Sequence, residues 1–322
     1  MAVNPSIVGP AVSAGTVGAA ENRETLTPGQ LIWRRFRKHR MAMMGGVGVI
    51  ILLLFILVGS IIIPESAANN ADLQSRLSPP SATHWFGTDS VGRDVFDRVI
   101  YGGQISLFIG LLAVILQVTL GTLIGGIAAY YGGWVDAVLM RFTEAMLAIP
   151  SLFLLIVLAK FIGRSVGQVT ILGRTFSGSI GIVILVIGLT SWMFLARIVR
   201  ANVFSLKELD YIAASRALGA SNRHIFFSHL VPNTLGPIIV AATLGLAGAI
   251  LLEAYVSFLG LGVQPPTSTW GNMMQQAQSF IIRGAWWMWV FPSLLIVLTI
   301  LSINLLGDGL RDALDPRSSR HL

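Results

Sequence analysis

Six long apolar runs constrain this chain more than any other feature. The first extends from Met41 to Ile63. Others run from about Ile105 to Ala129, Ala137 to Ala159, Ile180 to Ile198 and Pro237 to Phe258, and a sixth, opened by Trp286, Trp287 and Trp289, ends near Leu306. About 20 apolar residues in a helix cross a hydrocarbon core of about 30 Å, so each run reads as a spanning helix. Composition agrees: 54% of the 322 residues are hydrophobic, 11% are charged and the mean hydropathy is +0.75. A soluble domain carries about 25% charged residues, which disfavours a water-soluble fold. The 34 glycines suit close helix packing in lipid, although the Gly121/Gly125 pair is only a weak cue to a packing face.

The distribution of basic residues orients these spans. Arg34, Arg35, Arg37, Lys38 and Arg40 precede the first run, which is too long for a signal-peptide core and lacks a small-residue cleavage site, so it reads as an uncleaved span with its basic flank in the cytoplasm. With both termini inside, fifteen of the 22 Lys and Arg fall in cytoplasmic segments and seven outside. The net charge of +7 is absorbed by that bias, and no basic–aromatic interleaving calls for nucleic acid. Four parts result: a disordered tail at 1–30, the basic flank and first span at 31–64, an extracytoplasmic segment at 65–100, and a five-span core at 101–322 holding a cytoplasmic loop at 201–236.

Charged residues outside that loop have plain readings. Arg93 with Asp97, and Asp94 with Arg98, are spaced for i,i+4 pairs on an amphipathic helix. Arg141 and Glu144 read as an interface pair, or as a contribution to subunit or gating contacts. Glu253 lies near the outer end of the fifth span, where hydration and helix-end capping are equal alternatives. Pro265-Pro266 forces extended backbone in an outer loop at 259–284, and Trp286, Trp287 and Trp289 mark the headgroup level. No P-loop, HExxH, GxSxG or EF-hand pattern occurs, and the absence of cysteine excludes disulfides and thiolate sites. His224 and His229 are poorly spaced for a shared metal. The chain reads as a non-enzyme that binds no cofactor, and any transport it performs draws energy from another polypeptide.

The segment 201–236 is too long and regular to be a mere connection. Ser205 and Glu208 have capping-box spacing, and Leu206, Leu209, Ala213 and Ala217 recur at three or four, predicting an amphipathic helix that Gly219 stops. A second short helix follows from Asn222 to His229, with Ile225 and Phe226 against the membrane domain, before Pro232 breaks the backbone and Asn233 or Thr234 caps the fifth span. An alanine-faced helix fits a partner's groove; the alternative, a helix lying on lipid, wants a bulky apolar face and many lysines.

The residues Tyr211-Ile212-Ala213-Ala214-Ser215-Arg216-Ala217-Leu218-Gly219-Ala220, followed by His229-Leu230-Val231-Pro232-Asn233, resemble the "EAA" loop of the membrane subunits of bacterial ABC importers. The likeness continues in FGTDSVGRD (86–94), YYGGWVD (130–136), SFLGLGVQPPTSTWG (257–271) and NLLGDGLRDALDP (304–316), and points to the permease-C subunits of the dipeptide/oligopeptide/nickel group. The resemblance implies an all-α type I importer fold with six spans in the cell membrane, bounded by lipid. It also implies a heterodimer with a homologous permease, two ATP-binding subunits carrying ATP and Mg, and an extracytoplasmic solute-binding protein that delivers a peptide. A nickel chelate, glutathione or an oligosaccharide is the alternative cargo; the substrate-binding residues are not assigned. By that likeness Leu209, Tyr211, Ala213, Ala214, Arg216, Ala217, Leu218, Gly219 and Ala220 form the ATPase-coupling region, and His229, Pro232 and Asn233 brace it against the fifth span. A Cβ at Gly219 is expected to obstruct both the turn and the partner. Ala213 stands where the family motif often has an acid, so any salt bridge of that acid is missing or supplied by Glu208 or Asp210.

Overall fold

The computed structural model describes residues 27–162, 167–171 and 174–314. The expected tail lies mostly outside these, but residues 28–30 already belong to a helix. Thr27 and Gln30 form a reciprocal capping box at the start of α1 (Pro28–Lys38), with Pro28 in its first turn. Among the described residues, five helices are long and apolar enough to cross a membrane: α2 (Arg40–Ile62), α4 (Val95–Tyr131), α7 (Ser179–Leu206), the helix Asn222–Phe258, and α12 (Trp287–Leu314). The third span expected at 137–159 is two helices, α5 (Gly133–Ala148) and α6 (Ser151–Ile162), which supply a sixth crossing if taken together although bent by 88°. Pro150 explains the break: it lacks an N–H and drives Ile149 into extended backbone. The segment expected as a loop at 160–179 contains an antiparallel hairpin, β1 (Gln168–Ile171) with β2 (Arg174–Ser177), paired Gln168 to Ser177 and Ile171 to Arg174.

The centre of the bundle is the contact of α4 with α7. Lipid is as apolar as leucine, so helix association there rests on close packing. Gly121 faces Leu195 and Gly125 lies against the Ala196 backbone, where an added Cβ would overlap the carbonyl; Gly188 of α7 receives Leu116 of α4 in return. The weakly signalled Gly121/Gly125 face is therefore a close-packed seam of α4 on α7. Ile109, Ala113, Val183, Val186 and Ile187 fill the adjoining core. On the periphery, α2 packs on α12, with Gly45 and Gly48 against Ser302, while Ile50, Leu54, Leu57 and Ile61 remain exposed.

The end of the bundle that carries residues 65–98 and 259–287 departs from the expected charge pairs. α4 begins at Val95, so the amphipathic helix and the second span are one element, capped by Asp94, whose Oδ1 accepts Phe96 N–H at 2.7 Å while its other oxygen meets His84 Nδ1 at 2.8 Å. Asp94 is thus occupied by a cap and a histidine, and the pairs Arg93–Asp97 and Asp94–Arg98 do not form. Both arginines turn to Asp89 instead, at 2.7 Å from Arg93 Nε and 2.6 Å from Arg98 NH1. The Arg98 guanidinium also donates to Ser268 Oγ (3.1 Å) and Gln276 Oε1 (3.0 Å), joining α4 to the 259–284 segment and to α11 (Trp270–Ala277). Gly92, at φ +84°, closes the turn so near Asp72 that a side chain would overlap its backbone.

Glu253 sits in neither expected environment, being fully buried in α10 (Val231–Phe258). Ser106 Oγ donates to it at 2.9 Å and Ser257 Oγ at 2.7 Å, and Ser106 accepts the Trp270 N–H. Trp286 and Trp289 are exposed as belt residues should be, but Trp287 is buried and donates its indole N–H to the Thr88 carbonyl at 3.0 Å. The Pro265–Pro266 peptide is cis. At the opposite end α12 continues without interruption to Leu314, absorbing the extra turns expected after Leu306.

Two outcomes follow from this packing. Gly125→Val is expected to cost about 1–3 kcal/mol or more by overpacking the α4–α7 seam, whereas the same change at Gly248, where an added Cβ meets nothing within 4 Å, leaves stability near wild type; thermal unfolding in detergent compares them. Burial pushes the Asp89 carboxyl up, but Arg98, then Arg93, and the backbone N–H groups of Arg93 and Val91 outweigh it and hold it below its ordinary 3.8. A lowered carboxylate stabilises the fold fully above its unfolded value and loses that contribution as pH falls through the folded one. Stability is therefore expected to fall on acidification below about pH 4. Asp89→Asn should remove that acid dependence while lowering stability at neutral pH by about 3–5 kcal/mol, because Arg98 stays buried without its counter-charge; unfolding temperatures of both proteins across pH measure each effect.

Candidate docking site

The chain between α7 and α10 forms a compact projection at one end of the bundle. The expected capping box does not form: Ser205 lies inside α7, where its hydroxyl donates to the Ala201 carbonyl at 3.2 Å, and α7 runs on to Leu206. A turn over 207–209 separates it from α8 (Asp210–Ala217), whose N-cap is Leu209 without a side-chain bond. Asp210 in the first turn and Arg216 in the last complement the helix dipole. Leu206 is thus not part of the projecting helix, Leu209 is exposed at its N-cap, and Ile212, fully buried among Val199, Val203, Ile225 and Leu230, is its anchor.

Gly219 ends α8 as the sequence predicts. It adopts φ +83°, its N–H bonds to the Arg216 carbonyl, and the Ala220 N–H reaches back to Ser215, which is a Schellman closure. An added Cβ at Gly219 meets nothing within 4 Å, so within this chain the constraint is left-handed backbone and not obstruction. Ser221 then accepts the His224 N–H to start α9 (Asn222–His224). A wide π turn over Ile225–Leu230 carries α9 straight into α10, and the expected break at Pro232 is absent. The wide turn explains this: Val231 N–H bonds to Phe226 O, so the register shifts one residue before the proline whose N–H is missing. Ile225 and Phe226 are buried as expected, the Phe226 ring lying on Gly126 of α4.

Side chains fix the projection to three spans. Lys207 Nζ donates to the Ala129 carbonyl at 2.8 Å, and the Tyr130 hydroxyl donates to Asn222 Oδ1 at 2.7 Å with the Arg216 guanidinium 6.0 Å over its ring. Arg200 of α7 makes a bidentate pair with Asp136 of α5. His229 meets the rings of Tyr211 and His224, and Asn233 Nδ2 donates to the His229 carbonyl at 2.6 Å. His229 thus bears on α8 through Tyr211 and Asn233 on His229, whereas Pro232 is exposed. Neither Glu208 nor Asp210 makes an ion pair among the described residues, so the electrostatic role of an acid at position 213 is not replaced within them.

What remains outward is a small surface: Leu209, Tyr211, Ala213, Ala214, Arg216, Ala217, Leu218 and Gly219 are exposed, Leu218 at 88%. Ala220 turns partly inward onto the Ile212 cluster. No group of His, Asp and Glu among the described residues could hold a metal.

The comparisons with known proteins agree with this architecture. Residues 121–320 match the family model described as the binding-protein-dependent transport system inner membrane component, and residues 27–80 match the N-terminal TM domain of oligopeptide transport permease C. The dipeptide transport system permease protein DppC of Bacillus subtilis is 39% identical over 92% of this chain and 88% of its own length. The protein of the same name from Alkalihalophilus pseudofirmus is 40% identical over 91% of each chain. The glutathione transport system permease protein GsiD of Escherichia coli is 40% identical over 90% of this chain and 91% of its own. The chain belongs to the family of binding-protein-dependent transport system inner membrane components, as a non-catalytic, multi-pass inner-membrane permease subunit of the peptide-type ABC importers.

Proposed function

We propose that this subunit imports dipeptides or oligopeptides, and that α8 with the turn at Gly219 is where an ATP-hydrolysing subunit docks on its cytoplasmic face. The working assembly pairs the chain with a homologous permease, two subunits that bind ATP and Mg, and an extracytoplasmic solute-binding protein. Two relatives are named for dipeptide transport and a third for glutathione, itself a small peptide, which supports the peptide class of cargo.

The observation that carries the docking assignment is Leu218. A leucine 88% exposed at the tip of a helix, beside a glycine that allows close approach and a row of alanines, is arranged to enter a groove. The anchor behind it gives the contact a mechanical consequence. Ile212 is packed against residues of α7 and of the helix leading into α10, and Lys207 ties the same turn to α4. A displacement of α8 by a closing partner therefore moves three spans together as a rigid body.

Leu218→Asp is expected to leave membrane insertion and thermal stability unchanged, since the side chain supports nothing in this chain. It should reduce co-purifying ATPase at least about tenfold, as loss of an interface anchor does, and abolish peptide uptake in proteoliposomes. Gly219→Leu should weaken association as well, with about 1–2 kcal/mol of left-handed backbone strain added. Full co-purification and uptake in both variants would place the docking surface elsewhere.

A further inference from the structure

A cavity of about 900 Å³ opens between α4, α7, α10 and α12, reaching from Gln117 and Gly245 at its inner end to Asn202, Asn233 and Arg311 towards the α8 end. Most of its wall is apolar, including Phe194, Leu195 and Leu244. Gln117 is the exception at its depth. Its side chain is 92% buried in the middle of an otherwise apolar stretch of α4, and its amide has no hydrogen-bond partner among the described residues. The amide opens on the cavity, where it is available to a solute. Gly245 makes the room: a Cβ there would lie 3.0 Å from Gln117 Nε2 and 3.1 Å from Oε1.

We propose that Gln117 is the residue of this cavity that reads the peptide backbone of the transported cargo. The inference rests on the peptide reading given above. A carboxamide offers one acceptor and two donors, the complement of a peptide group's N–H and C=O, and it binds any side-chain sequence alike. Asn202 and Asn233 donate to the Ile198 and His229 carbonyls and keep their side-chain oxygens free to accept further amide N–H groups. Arg311, exposed at the cavity's rim, is a cation suited to a terminal carboxylate.

The test uses the complete transporter in proteoliposomes with saturating loaded binding protein, and compares a dipeptide with its N-methylated-amide analogue, both first shown to bind the binding protein equally. Wild type should transport the parent peptide about three- to tenfold faster than the analogue, the worth of one hydrogen bond. Gln117→Met, which keeps length and removes the amide, should slow the parent peptide and abolish the discrimination while binding-protein-stimulated ATP hydrolysis persists. Gly245→Ala, which presses on the amide without removing it, should reduce the discrimination. Wild-type peptide uptake with undiminished discrimination in both variants would overturn the role of Gln117 alone. Absence of peptide uptake by wild type would overturn the peptide reading and this inference with it.

Discussion

Close backbone approach between α4 and α7 is the constraint on which the rest of the structure depends. In lipid there is little hydrophobic gain from burying one leucine against another, so the bundle is held by contacts that only small residues permit. Gly121 and Gly125 let α4 settle on Leu195 and Ala196. The next residue of α4, Gly126, receives Phe226, which lies in the turn between α8 and α10. The same stretch of glycines therefore sets both the core of the bundle and the seat of the projecting segment. The Ala129 carbonyl, just beyond, accepts Lys207 and completes the attachment.

The two ends of the bundle are built differently, and the difference fits two kinds of work. At one end Asp89, Arg98, Gln276 and Ser268 form a buried polar node joining stretches more than 160 residues apart in sequence, and Glu253 with Ser106 and Ser257 forms another just inside it. Such groups are costly to bury and costlier to separate, so they fix one arrangement of α4, α10 and α11. At the other end a single helix is held by one buried isoleucine and a few hydrogen bonds, and its outer residues are left free. A fixed end, and at the other a small helix whose buried face is attached to the spans while its outer face is free, are what a subunit driven from outside requires.

Much of this was legible in the sequence because lipid makes strong demands. The apolar runs marked the spans, Gly219 marked the end of α8, and the positions of Ile225 and Phe226 followed from their character. The boundaries were harder. Pro150 falls inside the apolar run 137–159 and bends it, while Pro232, where the sequence predicts a break, is accommodated by a π turn; local propensity does not say which neighbour will supply the missing hydrogen bond. The i,i+4 rule failed at Arg93 and Arg98 because Asp89 lies in a turn before the helix, and a helical spacing rule cannot see a partner reached by the chain folding back. Trp287 and Glu253 escape the sequence for a related reason, since Thr88 and Ser106 reach them from distant segments, and Gln117 has no local signal because only the folded bundle puts it in a cavity wall. The FGTDSVGRD and SFLGLGVQPPTSTWG stretches did carry a signal, and the structure brings them together through Arg98, which bonds to Asp89 of the first and Ser268 of the second.

The central claim is that the exposed face of α8 meets an ATP-hydrolysing partner, and the absence of native cysteine gives a direct way to test it. A single cysteine placed at Leu218 in the assembled transporter, treated with a short bifunctional thiol reagent, should cross-link to the ATP-hydrolysing subunit, and the yield should change with the nucleotide state. A cysteine at 218 that reacts freely with a water-soluble thiol reagent in the intact complex, yet forms no cross-link in any nucleotide state, would contradict the account.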